Sequence, residues 1–144
     1  MNPAEQLLAI EEIKLLKARY FRFVDTKDWT GFASLFAPDA VFDISRDTGR
    51  VFHGPDEITA AASGPLTGCV SIHHGHCPEI TLISPDTAEG IWAMEDVLRW
   101  APVGEAPART LHGYGHYFET YRKIAGAWKI QTMRLDRLRV DRSG

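Results

Sequence analysis

The chain is short of the features that usually identify a protein at sight. Among its 144 residues there are only two cysteines, Cys69 and Cys77. They share one extended stretch, too close along it to bridge easily, and neither belongs to a metal-type doublet. A reducing, cytoplasmic setting is therefore expected. No apolar run is long enough to span a bilayer, and Glu5, Glu11 and Glu12 break any leader-like segment, so no membrane association is expected. Neither sign of charge dominates: 16 Lys and Arg against 19 Asp and Glu leave a net charge of -3, which argues against a nucleic-acid partner. The basic C-terminal stretch of Arg134, Arg137, Arg139 and Arg142 is interleaved with Asp136 and Asp141, and reads as a solvated or interface strand. Repeats, low-complexity tracts and linkers are missing. So are a nucleophile elbow, a phosphate-binding glycine loop, a dinucleotide fingerprint and a cysteine zinc motif.

What is present is a globular composition, 44% hydrophobic with seven Phe, four Trp and four Tyr. One domain spanning 1–144 is large enough to bury a core without staples. Asn2-Pro3-Ala4-Glu5 reads as a capped helix start, and Ile10, Ile13, Leu16, Tyr20 and Val24 recur at helical spacing, predicting a helix from Pro3 to Val24. Asp28 caps a second short helix that buries Phe32, Leu35 and Phe36 and ends at Pro38. Residues 40–45 and 50–53 read as a strand pair around Asp47-Thr48-Gly49, and Gly54-Pro55 opens a third helix ending near Gly64-Pro65. Four long strands follow, over residues 70–84, 87–100, 109–123 and 128–140, separated by turn signals. Three helices and then an antiparallel meander predict an α+β fold, with the helices on one face of a curved sheet that closes a single pocket.

Four polar residues stand out against this background. Asp25 falls in the last turn of the first helix, where the dipole disfavours negative charge, beside Phe21, Phe23 and Val24. Desolvation there would strengthen its hold on a cation or an imidazole. In the strand ending at Trp100, alternation puts Trp92, Met94, Asp96 and Leu98 on one face, so that Asp96 is a lone carboxylate in an apolar row. It is either buried structurally against an arginine or tyrosine, or functional. His73 shares a strand face with Ser71, whereas His74 and His76 point the other way. Those two could share an ion, but no third ligand is obvious, and His112 and His116 lie on a distant strand, so no metal is expected. Tyr20 lies five residues before Asp25, as a core residue or as a hydroxyl donor into the pocket. Phe42, Trp92, Met94 and Tyr117 are candidate pocket-lining residues. Gly113-Tyr114-Gly115 lies in a strand and is read as easing curvature or close approach.

Several segments together carry a family resemblance: Ala18 to Asp25, Asp28 to Phe42, Gly54 to Ile58, His73-His74, Gly115 to Tyr121 and Gly126 to Ile130. Their order and spacing resemble the SnoaL-like branch of the nuclear-transport-factor-2-like (NTF2-like) superfamily, over nearly the whole chain. The resemblance implies a cone-shaped α+β barrel. Within the superfamily the chain looks most like scytalone dehydratase and bile acid 7α-dehydratase, and a dehydrochlorinase is also similar. In those enzymes a first-helix Asp pairs with a strand His that acts as general base, matching Asp25 and His73. A first-helix Tyr and a second strand Asp match Tyr20 and Asp96. What this implies is a cofactor-independent dehydratase acting on a small cyclic hydroxy-ketone, polyketide, steroid or aromatic metabolite, working as a homo-oligomer, trimer or dimer. The tyrosines that hold the activating water in scytalone dehydratase fall here on Val24 and Ile44, which points away from scytalone itself. The alternatives are a steroid Δ-isomerase, whose strand base would fall at about Ile44, a non-catalytic binding module, and a dioxygenase small subunit.

Overall fold

The computed structural model describes residues 1–144. The first helix, α1 (Pro3–Thr26), begins where the sequence places it. The Asn2 side chain accepts from the Glu5 amide at 2.9 Å, and the Glu5 carboxylate accepts from the Asn2 amide at 2.9 Å. Ala9, Ile13, Leu16, Tyr20 and Val24 are buried along one stripe of α1. Lys27, left-handed at φ 59°, closes the helix. Asp28 then caps α2 (Trp29–Ser34) by accepting from the Gly31 amide at 2.9 Å.

Here the structure departs from the sequence reading. Phe36 is not helical but opens β1 (Phe36–Ile44), and the Leu35 carbonyl accepts from the Ile130 amide at 2.9 Å. Ala37, the residue before Pro38, avoids the helical region, and pairing with the last strand offers Phe36 a ladder instead. Pro38 falls inside the register shift between Phe36 and Val41, where its missing N–H is not needed. The turn around Asp47 is also more structured than a hairpin: α3 (Ser45–Thr48), a single helical turn, is closed by Gly49 at φ 77° before β2 (Arg50–His53). The third expected helix is α4 (Gly54–Ser63).

The long strands are β3 (Cys69–Ser84), β4 (Thr87–Trp100), β5 (Thr110–Ile124) and β6 (Ala127–Ser143). Their bounds match the alternation within a few residues. Ala125 and Gly126, both at positive φ, make the tight turn between β5 and β6. The six strands run in the order β2-β1-β6-β5-β4-β3. Neighbours are antiparallel except β1 and β6, which are parallel, so the sheet is mixed rather than a pure meander. Register shifts in β3 after His76 and in β6 opposite Tyr114 and Thr120 are bulges of the kind that bend a sheet. Both cysteines are free, Cys69 buried and Cys77 exposed. No helix is long and apolar enough to cross a membrane.

α1 lies across β3, and its buried stripe joins the inward residues of the strands in one core. Two approaches there require glycine. A Cβ on Gly75 would stand 2.5 Å from the Phe21 ring, and one on Gly115 would collide with the Asp136 carbonyl, so close approach is what Gly115 provides. The core also holds a charge pair that periodicity did not reveal. Lys17, wholly buried, donates to Glu119 at 2.6 Å, and its ammonium stands 3.6 Å and 3.8 Å from the ring centroids of Tyr20 and Tyr117. The other Glu119 oxygen accepts from the Tyr121 hydroxyl at 2.6 Å, which itself accepts from the Trp92 indole N–H at 2.9 Å. Burial holds the Lys17 ammonium below its ordinary value, with Glu119 opposing the shift.

A buried pair of this kind costs most when half of it is removed. Glu119→Ala, which leaves Lys17 enclosed without a partner, is expected to lower the unfolding free energy by about 3–5 kcal/mol, read from the denaturant midpoint. Replacing both residues, Lys17→Met with Glu119→Leu, should recover most of that loss. Equal losses in the single and double variants would show that the uncompensated charge is not the cause.

Candidate active site

Asp25 stands one residue before the C-terminus of α1, and its carboxylate is the junction between that helix and β3. One oxygen, Oδ2, accepts from the His73 amide at 2.8 Å. The other, Oδ1, lies 2.7 Å from His73 Nδ1 and accepts from the Ser71 hydroxyl at 3.1 Å. The expectation of an enclosed Asp25 needs correcting: its side chain is 23% exposed, against 11% for His73, and three donors rather than desolvation set its environment. Those hydrogen bonds outweigh the unfavourable end of the helix dipole, which is a smaller effect at a partly exposed site.

The contact with Asp25 assigns the histidine tautomer. Nδ1–H donates to the carboxylate, which leaves Nε2 with its lone pair on the inner face of the sheet. Ser71 and His73 project inward together while His74 is exposed, as alternation requires.

Directly across the ladder from His73 stands Asp96. It is buried as read from the sequence, but it is not alone. Arg137 of β6 grips it with both ends of its guanidinium, Nη1 at 3.0 Å and Nη2 at 2.9 Å. The Asp96 side chain is 4% exposed and that of Arg137 is 16% exposed. Burial works against the charged guanidinium, but the hydrogen bonds and charge of Asp96 outweigh it and hold Arg137 above its ordinary value. Arg137 also approaches Asp47 of α3 at 3.5 Å. Room for the pair comes from Gly113, since a Cβ there would collide with both Arg137 and Asp96.

Arg137 is the functional candidate that sequence reasoning missed. Its neighbours behave as expected of a wet strand: Arg134 pairs with Asp136 and Arg139 with Asp141. The signal lay in the alternation instead. Met133 and Leu135 are buried, and the next residue on that face is Arg137.

Tyr20 and Tyr117 complete the cluster, their rings edge to face at 6.0 Å between centroids. Burial, then the Tyr117 hydroxyl and the carboxylates of Glu119 and Asp96, hold the Tyr20 phenol well above its ordinary value. Tyr117 is likewise pushed up, by burial first and by Asp96 next. Both phenols are therefore protonated at neutral pH and serve as hydrogen-bond donors. Of the other lining candidates, Trp92 packs edge-on against Phe21 at 6.4 Å, and Met94 is buried on the same face. Phe42, partly buried at the edge of the core, packs on Phe52 of β2 at 6.3 Å between centroids. A groove of about 550 Å³, bordered by Glu79, Glu89 and Arg134, lies on the other face of the sheet and includes none of the four polar candidates.

Comparison with known proteins identifies relatives of the whole chain. The model of the SnoaL-like domain matches residues 5–134. The protein named "Probable cyclase FGR4" from Gibberella zeae is 30% identical over 137 residues, covering 88% of this chain and 89% of that protein. Among solved structures, a scytalone dehydratase-like protein from Novosphingobium aromaticivorans superposes with a TM-score of 0.86 at 21% identity, covering 99% of this chain and 93% of the other. A type 2 hexachlorocyclohexane dehydrochlorinase, LinA, superposes with a TM-score of 0.85 at 19% identity, covering 99% and 94%. The fold, the matched span and the relative agree: the chain belongs to the SnoaL-like family of the NTF2-like superfamily.

Proposed function

We propose that this protein is a cofactor-independent lyase that eliminates water from a small cyclic hydroxy-ketone of the polyketide, steroid or aromatic-pathway type. The observation that carries the reading is the 2.7 Å contact between His73 Nδ1 and Asp25 Oδ1, which leaves Nε2 free on a face shared with protonated phenols and a buried guanidinium. The names of the relatives support it, because a dehydrochlorinase and a dehydratase-like protein both suggest elimination on this fold.

In the proposed reaction, His73 Nε2 takes the proton α to the substrate carbonyl. Asp25 holds the ring and stabilises the imidazolium that results. Tyr20, with Tyr117 beside it, donates to the carbonyl oxygen as negative charge gathers there. The C–O bond to the β-hydroxyl then breaks, and the departing oxygen takes the proton from His73 and leaves as water. The double bond forms, and the histidine is again neutral. Arg137 supplies the cation that faces the polar end of the substrate, and Asp96 fixes its position.

The isomerase alternative has less support. Ile44 stands at the expected position, and the neighbouring Asp43 carboxylate is engaged by the Ser45 amide at 2.8 Å.

His73→Ala and Asp25→Asn are each expected to lower kcat by about 10²–10⁴-fold with the far-UV circular dichroism unchanged. The assay is a panel of cyclic β-hydroxy-ketones followed by enone absorbance. Full turnover in either variant overturns the assignment, and a wild-type protein that binds the panel without turnover establishes a binding module instead.

Arg137→Lys keeps the charge but loses the two-pronged grip on Asp96. It should reduce kcat/KM by about 10²-fold, the usual cost of one misplaced donor. An unchanged kcat/KM would confine Arg137 to a structural role.

A further inference from the structure

β3 and β4 carry two facing pairs of ionisable residues at adjacent register positions, one on each side of the sheet. His73 opposes Asp96 on the inner side; on the outer side His74 opposes Glu95. His76 shares that outer side, its ring centroid 6.0 Å from that of His74. The ligand atoms of His74, His76 and Glu95 all lie within 4.8 Å of one another. The sequence offered two of these three and no third, because the residue that faces His74 is set by strand register, which periodicity does not give.

A second observation concerns the support behind Glu95. Its Oε2 accepts from His112 Nε2 at 2.8 Å. His112 Nδ1 accepts in turn from the Tyr114 hydroxyl at 3.3 Å, and the two rings stack with centroids 4.5 Å apart. That relay fixes the imidazole tautomer and aims the carboxylate, leaving its other oxygen uncommitted. An outer layer of this kind is what orients ligands at metal sites.

We propose that His74, His76 and Glu95 form a binding site for a divalent transition-metal cation of the zinc class on the outer face of the sheet. Two imidazoles and one carboxylate suit zinc, nickel or copper rather than magnesium or calcium, which favour all-oxygen sites. Bonds of about 2.0–2.1 Å draw the three donors closer together than they stand without metal. The rotamers of two exposed histidines supply that movement. Solvent completes the coordination. A bound ion clips β3, an edge strand, to β4 at the register that aligns His73 with Asp96 on the other side.

The test is calorimetric titration of chelator-stripped protein with zinc chloride, alongside thermal melts. One zinc per chain, a raised melting temperature, and no competition from excess magnesium are expected. His74→Ala and His76→Ala should each weaken binding by at least tenfold, as should Glu95→Gln. His112→Ala, which removes no ligand, should weaken it by about 10–100-fold. Cys77→Ser and His53→Ala should leave it unchanged. Undiminished binding in the His74→Ala/His76→Ala double variant overturns the site, as does the absence of saturable binding. A ratio of one zinc to two chains overturns the single-chain site in favour of one shared between copies. None of these readouts depends on turnover.

Discussion

The three hydrogen bonds at the Asp25 carboxylate are the constraint on which the rest of the arrangement depends. They join the last turn of α1 to β3, and in doing so settle the tautomer of His73, the face on which its free nitrogen lies, and the distance of α1 from the sheet. One carboxylate thus acts at two levels. Its bond to the His73 amide is structural and would serve with any side chain at that position. Its bond to Nδ1 is chemical and requires a histidine. Because both come from the same group, the His73 ring is tied to the helix that carries Tyr20. Gly75, two residues along β3, permits the close approach of the Phe21 ring on which this geometry relies.

The interior is unusual in holding two ion pairs, Lys17 with Glu119 and Arg137 with Asp96. Burial of each charge is expensive, and well-packed apolar residues of similar volume would often be as stable. Their positions give them a different role. Lys17 lies against the faces of Tyr20 and Tyr117, and Asp96 raises the proton affinity of both phenols. The pairs therefore frame the two tyrosines with fixed charges, while burial, ahead of the neighbouring carboxylates, keeps the phenols neutral. A purely apolar core would hold the rings in place but would set no fixed charge beside them.

Most of the fold was legible because it rests on local rules. The capping box at Asn2, the α1 stripe and the alternation in the long strands each depend on near neighbours in sequence, and each appears in the structure. Asp25 was legible for a different reason, since a carboxylate at a helix C-terminus conflicts with its local setting and calls for a partner, and the family resemblance named His73 as that partner. Lys17, Glu119 and Arg137 were not, because a basic or acidic side chain at a buried periodic position reads as a solvated one until its partner is known. Those partners lie 102 residues apart for Lys17 and Glu119, and 41 for Arg137 and Asp96. The helical reading of Phe36 failed on the same ground: its strand partner, Ile130, comes from the far end of the chain.

The pleat adds a further constraint on β3 and β4. Because successive side chains alternate, one register serves both faces, placing His73 against Asp96 inside and His74 against Glu95 outside. A slip of β3 by one residue would turn His73 to solvent and His74 and His76 toward the core, with costs on both sides of the sheet. The register is held on the inner face by Asp25 and Arg137, and it ends just beyond His76, where the shift in pairing brings Cys77 to a positive φ. The segment from Ser71 to His76 is therefore specified twice, by what it buries and by what it presents. A cation on the outer face would act on the same alignment that sets His73 against Asp96, from the opposite side of a single layer of backbone.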